Sequence, residues 1–276
     1  MTAGPAREGS EYFDSSEFAH RADIEDNHYW HVHRRKVLVD ILREVSPPER
    51  TGRLLEIGCG IGTVTTHFNQ NGYVVDYGDY FEDAIAIAKR RAEQKLGPND
   101  AAKRKFMRVD ATKDLDLDGY QGMFLFDVIE HLPDDLLVMT NVRRAVERAT
   151  NPFVIVTVPA FQFLWSPWDD VEKHKRRYTR SSLVDVLERA GFFIERTTYL
   201  FAPLFFAALG VKGLRTVKNL VAKAPKAEHM TELSESKNVD ILNKVVVTAH
   251  APERMWLGGR RGLPLGTSVL AVARPR

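Results

Sequence analysis

The feature that most constrains this chain is the stretch "LLEIGCGIGTVTTHF", Leu54 to Phe68, in which Gly58, Gly60 and Gly62 follow a short apolar run. A glycine-rich turn leading from a strand into a helix lets a ligand approach backbone N–H groups at the helix start. Such a turn belongs to a parallel βα unit, and the rest of the chain is patterned to supply more of them. Apolar runs at Arg53–Ile57, Tyr73–Tyr77, Lys105–Val109, Met123–Val128 and Phe153–Val158 alternate with helical patterns such as "EDAIAIAKRRAEQ" and "DDLLVMTNVRRAVERA". This alternation predicts an α/β fold with a doubly wound sheet, and the unbroken Phe153–Val158 run suits a strand covered on both faces.

"SPPERTG" marks a boundary before the first strand, because paired prolines do not continue a helix. The expected organisation is an N-terminal helical cap over 1–50, the α/β core over 51–199, an inserted substrate lid over 200–262, and the last core strand over 263–276. The lid reading rests on the uncharged run Thr197–Val211, the polar stretch "KAPKAEHMTELSESKN", and apolar residues at helical spacing, Ile241, Leu242, Val245, Val246 and Ala249. The uncharged run has 15 residues and contains Pro203. A membrane-spanning helix needs about 20, so no transmembrane segment is expected.

Net charge is only +2, which provides no global attraction to nucleic acid. Cys59 is the only cysteine, and "MTAGPAREGSEYF" lacks a signal-peptide core. Both features fit a cytoplasmic protein.

The glycine spacing bears on the ligand. In the nicotinamide fingerprint G-x-G-x-x-G the last glycine would fall at Thr63, whereas here it stands at Gly62. Glu56 also places a charge two residues before the first glycine, where a nicotinamide strand is normally apolar. Asp79 stands 21 residues after Gly58, a separation at which a carboxylate can accept hydrogen bonds from both ribose hydroxyls. Asp76, in "VVDYGDY", is the rival for that role.

These segments together resemble the class I S-adenosylmethionine-dependent methyltransferases of the small-molecule type. "LLEIGCGIG" is similar to their first motif, including the acid Glu56 before the glycines. "GDYFEDAIAIAKRR" resembles the segment carrying the ribose acid, which implies that role for Asp79 with Tyr80 beside the adenine. "FMRVDAT" resembles the end of the third strand, implying adenine contacts from Asp110 and Ala111. "FDVIEHLPDD" resembles the segment after the fourth strand, implying that Asp127 lies near the methionine part of the cofactor. "LPLGTSVLAVARP" resembles the antiparallel last strand of a Rossmann-like seven-stranded sheet. The resemblance implies S-adenosyl-L-methionine as cofactor and methyl transfer to an oxygen, nitrogen or carbon nucleophile.

Further candidates lie around this frame. Glu130 and His131 follow the fourth strand, and His174 sits in "EKHKRRYTR" after the fifth; an imidazole titrates near neutrality and suits a general base. His131 is the favoured base and His174 an orienting residue. Arg177 and Tyr178 in the same run, with Trp165 and Trp168 in "FQFLWSPW", are candidates for substrate contact. In "NHYWHVHRR", Trp30 and Arg34 are expected to face the methionine end. His28, His31 and His33 lack a cysteine or acid spaced to complete a zinc site.

Asp127, Glu130 and His131 would share a face on one helical turn. A similar acidic-Glu-His cluster binds a divalent ion in ubiquinone-biosynthetic O-methyltransferases, but the expectation here is a metal-free site.

The substrate is expected to be a small hydrophobic or aromatic metabolite, with no nucleic-acid partner. The oligomeric state is open, a homodimer being one option. The alternatives are a nicotinamide-dependent oxidoreductase and a non-catalytic, cofactor-binding regulatory subunit. A nucleic-acid base methyltransferase would usually carry an Asn/Asp-Pro-Pro-aromatic motif where this chain reads "FDVIEHLP".

Overall fold

The computed structural model describes residues 25–210, 248 and 250–276. Seven strands form one sheet: β1 (Leu54–Ile57), β2 (Val75–Asp79), β3 (Phe106–Arg108), β4 (Gly122–Phe126), β5 (Phe153–Pro159), β6 (Phe192–Leu200) and β7 (Ser268–Pro275). Their order is β3-β2-β1-β4-β5-β7-β6. Strands β1 to β5 pair in parallel, and β7 runs antiparallel between β5 and β6. This is the Rossmann-like sheet, last strand antiparallel, that the sequence predicts.

The helices are α1 (Tyr29–Val45), α2 (Thr63–Gln70), α3 (Glu82–Leu96), α4 (Pro98–Ala101), α5 (Asp135–Val146), α6 (Pro167–Val171), α7 (Arg180–Arg189) and α8 (Ala251–Leu257). Residues 202–210 are also helical. Side chains alternate across the sheet, so each strand serves two cores. On one face Val37, Leu38, Ile41 and Leu42 of α1 and Phe68 of α2 pack on Leu54, Phe124 and Phe153. On the other, Val138, Met139 and Val142 of α5 and Leu183 and Leu187 of α7 pack on Leu55, Met123 and Val154. Burial on both sides is why the central strands read as unbroken apolar runs. Each fully buried Leu or Phe contributes roughly 1.5–3 kcal/mol relative to exposure.

Strand β2 lies two residues later than the sequence pattern predicts. Tyr73 is taken up before it, packing on Phe68 and donating its hydroxyl to the Ser46 carbonyl at 3.1 Å. Strand β4 stops at Phe126 because Asp127 turns into the left-handed region, at φ 57°. The strand order reverses between β1 and β4, and in open α/β sheets the crevice beyond the carboxyl ends at such a point is where ligands bind. Among the described residues no helix is long and apolar enough to cross a membrane. The polar stretch and the helical pattern expected at Ile241, Leu242, Val245, Val246 and Ala249 lie outside the described residues.

Candidate active site

The glycine loop leaves the carboxyl end of β1. Gly58, Gly60 and Gly62 all have positive φ, at 77°, 54° and 78°, a region glycine enters at little cost. A Cβ at Gly58 would come within 2.5 Å of the Val128 side chain, and one at Gly62 within 2.8 Å of Tyr77. One at Gly60 would meet nothing within 4 Å. The two outer glycines let the loop pack, and the middle one leaves its backbone open to a ligand. Helix α2 begins next, with its first N–H groups and the positive end of its dipole at the loop.

Asp79 ends β2 beside this loop. Its carboxylate accepts hydrogen bonds from Gly60 N–H at 2.8 Å and Phe81 N–H at 2.9 Å, leaving lone pairs for a further donor. Burial raises its pKa against these bonds. Asp76 is fully buried and committed elsewhere, to the Arg53 guanidinium at 3.3 Å, the Tyr120 hydroxyl at 2.9 Å and Lys105 N–H at 2.9 Å. Glu56 is buried against the Thr65 hydroxyl, and desolvation pushes its carboxyl up to about 8. Cys59 packs with Tyr77 and Ala88, its thiol pushed up by burial and by Asp79, which makes it a packing residue and not a nucleophile.

The other residues predicted for the cofactor lie at neighbouring strand ends. The Arg108 guanidinium sits 4.9 Å over the Tyr80 ring. Asp110 accepts from Thr112 N–H and hydroxyl at 3.1 and 2.6 Å, and the Ala111 carbonyl accepts from Asn141 at 3.2 Å. Beyond β4, Arg34 forms an ion pair with Asp127 at 2.7 Å and donates to Thr157 Oγ1 at 3.3 Å. The same guanidinium lies 4.7 Å over Trp30, which stacks on Phe201 at 5.4 Å. Helix α1 therefore brings Trp30 and Arg34 to the end of β4, beside Asp127.

After Asp127 the chain forms a short 3-10 turn, Ile129–His131. Asp127, Glu130 and His131 consequently do not share an α-helical face as their spacing suggests, and Asp127 is turned to Arg34. Lys175 N–H donates to the Glu130 carbonyl at 2.8 Å, drawing the loop after α6 onto this turn. The His131 and His174 rings then meet edge to face, 4.7 Å apart. His174 Nδ1 lies 2.8 Å from Asp169 Oδ1. Glu130 is 0% exposed, and neither carboxylate oxygen has a hydrogen-bond partner among the described residues. Burial and Asp127 raise its pKa well above the usual range. Burial and His174 push His131 down to about 4.

Two predicted substrate residues are used by the protein itself. Arg177 grips Asp169 with two bonds, at 2.6 and 2.8 Å, and donates to the Ala160 carbonyl at 3.1 Å, so its fork is already filled. Burial opposes ionisation of Asp169, but Arg177 and His174 hold it at about 2. Tyr178 is buried with its hydroxyl on Asp135 at 2.6 Å. Trp165 donates to Asp170 at 3.0 Å, and Trp168 is 59% exposed.

A separate aromatic group is formed by Phe161, stacked on Tyr199 at 5.0 Å and packed against Phe163 and Phe205 at 5.2 and 5.4 Å. The sequence signals for it are the aromatic density of "FQFLW" and "FAPLFF", but only the sheet brings the two together.

The Methyltransferase domain family matches residues 29–197, more than half of the 276-residue chain. No curated protein matches the chain. Among solved structures it is similar to phosphoethanolamine N-methyltransferase 2 of Haemonchus contortus in complex with S-adenosyl-L-methionine. That match has a TM-score of 0.53 and 17% identity over 86% of this chain and 51% of that one; the chain spans about half the length of that relative. It is similar to a Haloferax volcanii methyltransferase solved with the Trm112 activator, at TM-score 0.57 and 12% identity over 96% of each chain. Magnesium protoporphyrin IX methyltransferase of Synechocystis PCC 6803, with bound S-adenosylhomocysteine, matches at TM-score 0.53 and 17% identity over 68% of this chain and 89% of that one. With the glycine loop, Asp79 and the strand order in place, the chain belongs to the class I S-adenosylmethionine-dependent methyltransferase family.

Proposed function

We propose that the chain transfers a methyl group from S-adenosyl-L-methionine to an oxygen, nitrogen or carbon nucleophile of a small hydrophobic or aromatic metabolite, in the cytoplasm. The observation that carries this reading is the open backbone at Gly60, bordered by Asp79 and lying at the β1/β4 switch point. The donor and acceptor set fits the cofactor. Asp79 has lone pairs left for ribose hydroxyls, and the α2 amino end suits a carboxylate or other partly negative group. Trp30 and Arg34, with Asp127, are proposed to hold the methionine end; Tyr80, Asp110 and Ala111 the adenine.

When bound, the cofactor supplies an electrophilic methyl group, so the protein's task is to align the acceptor and exclude water. The aromatic group Phe161, Phe163, Tyr199 and Phe205 supports an apolar acceptor. Glu130, His131 and His174 are the polar residues proposed to meet its nucleophile.

Isotope-labelled S-adenosylmethionine, incubated with the full chain and pools of aromatic and apolar metabolites, tests the reading. Labelled product and S-adenosylhomocysteine should appear together with at least one pool. His131→Ala should lower turnover, with cofactor affinity nearly unchanged. Label transferred to RNA or protein, and to no small molecule, would overturn the substrate class.

A further inference from the structure

Three side chains meet beyond the ends of β4 and β5 with one ligand atom each, from Glu130, His131 and His174, all within 4.8 Å of one another. Two features separate this cluster from a chance meeting of polar residues. Glu130 is fully buried with both oxygens unpartnered among the described residues, an arrangement that costs free energy unless a cation or donor completes it. The arginines around it do not fill that role: Arg34 is paired with Asp127 at 2.7 Å, Arg176 with Asp135 at 3.0 Å, and Arg177 with Asp169 at 2.6 Å.

The second feature is the outer hydrogen bonding of the His174 imidazole. Histidines that bind metal almost always donate their other ring N–H to a carboxylate or backbone carbonyl, which fixes tautomer and orientation. Such a partner is present for His174, whose Nδ1 meets the buried Asp169 carboxylate at 2.8 Å, leaving Nε2 for a ligand bond. Asp169 is itself fixed by the Arg177 fork.

The geometry points to a centre for a late first-row divalent cation of the zinc type, held by Glu130, His131 and His174. Two imidazoles and one carboxylate are a donor set that such ions accept, with a fourth position open. Ligand atoms around four-coordinate zinc lie roughly 3.3 Å apart, from bond lengths of about 2.0–2.1 Å, so the cluster closes by about 1.5 Å at most on binding. His131 and His174 keep partial exposure, which gives the ion a way in. Asp127, the third member suggested by sequence spacing, is paired with Arg34 and stands outside this set, and the proposal departs from the metal-free expectation. On the methyl-transfer reading above, the open position faces the acceptor and takes its heteroatom or a water.

The test is metal analysis of the full chain together with calorimetric titration of zinc chloride into chelator-stripped protein. One zinc per chain is expected, with affinity lowered at least about tenfold in His131→Ala, His174→Ala and Glu130→Gln. Asp169→Asn should weaken it by about 10–100-fold, the usual effect of losing a ligand's outer partner. Glu130→Gln keeps side-chain shape and removes a buried acid, so it keeps the question answerable should a histidine variant fail to fold. Cobalt(II) substitution should give the visible absorption of a four-coordinate site, and this should vanish in Glu130→Gln. Absence of zinc binding, or equal binding by wild type and the folded variants, overturns the proposal. Zinc binding needs no acceptor, so its failure leaves methyl transfer standing, and failure of methyl transfer leaves the metal site standing.

Discussion

The buried Asp79 carboxylate accepts a hydrogen bond from Gly60 N–H at 2.8 Å, tying the end of β2 to the middle of the glycine loop. Asp76, three residues earlier, is tied to Arg53, Tyr120 and Lys105 instead. Two acids on one strand thus have separable tasks.

Substitution should separate them. Asp79→Ala is expected to weaken S-adenosylhomocysteine binding by about 1.5–3 kcal/mol, the scale of hydrogen bonds to a charged group. Asp76→Ala should lower folding stability by about 3 kcal/mol or more, because it removes one partner of a buried ion pair. Calorimetry and thermal melting on both variants check the assignment; a reversal of the two effects would exchange the roles.

The glycines should divide similarly. Gly58→Ala and Gly62→Ala bring a Cβ within 2.5 Å of Val128 and 2.8 Å of Tyr77, and both should lower the melting temperature. Gly60→Ala meets open space, so its stability cost should be limited to left-handed backbone strain, about 1–2 kcal/mol, while cofactor affinity falls at least about tenfold. Equal melting losses at all three positions would contradict an open cradle at Gly60.

Glu56 should shape the pH dependence of stability. Its carboxyl titrates at about 8 in the fold against 4.5 in an unperturbed chain. Between those values the folded state binds the extra proton, so this group's contribution falls as pH rises, by up to about 1.4 kcal/mol per pH unit. Glu56→Gln should remove that slope. Denaturant unfolding of cofactor-free protein from pH 5 to 8 measures it, and parallel curves for wild type and variant would refute the buried neutral acid.

Much of the proposed cofactor half is legible in the sequence because it is local. The glycine loop follows its own strand, and the distance from Gly58 to Asp79 is the length of one βα unit. The proposed acceptor half is assembled from afar. The Lys175 N–H bond to the Glu130 carbonyl joins the two segments that carry His131 and His174, and Phe161 and Tyr199 come from separate strand ends. Helical spacing also misleads at Asp127, where a left-handed residue ends β4 and a 3-10 turn replaces the expected helix. Arg177 and Tyr178 stand in a charge run that invites a ligand, but nothing local reveals that Asp169 and Asp135 occupy them.

That occupation carries its own prediction. Arg177→Lys replaces a two-bond fork by a point charge, and Asp169→Asn leaves Arg177 without its carboxylate. Both should lower the melting temperature and loosen the loop that carries His174, reducing turnover with any acceptor found. A variant that only raised the Michaelis constant of an acidic acceptor, with melting unchanged, would return Arg177 to substrate binding.

The central claim, a cofactor cleft at Gly60 and Asp79 built for S-adenosylmethionine, is tested most directly by calorimetric titration of the full chain with S-adenosylhomocysteine and, separately, with NADP. One S-adenosylhomocysteine per chain and no heat from NADP is the predicted result; tight NADP binding with S-adenosylhomocysteine silent would contradict it.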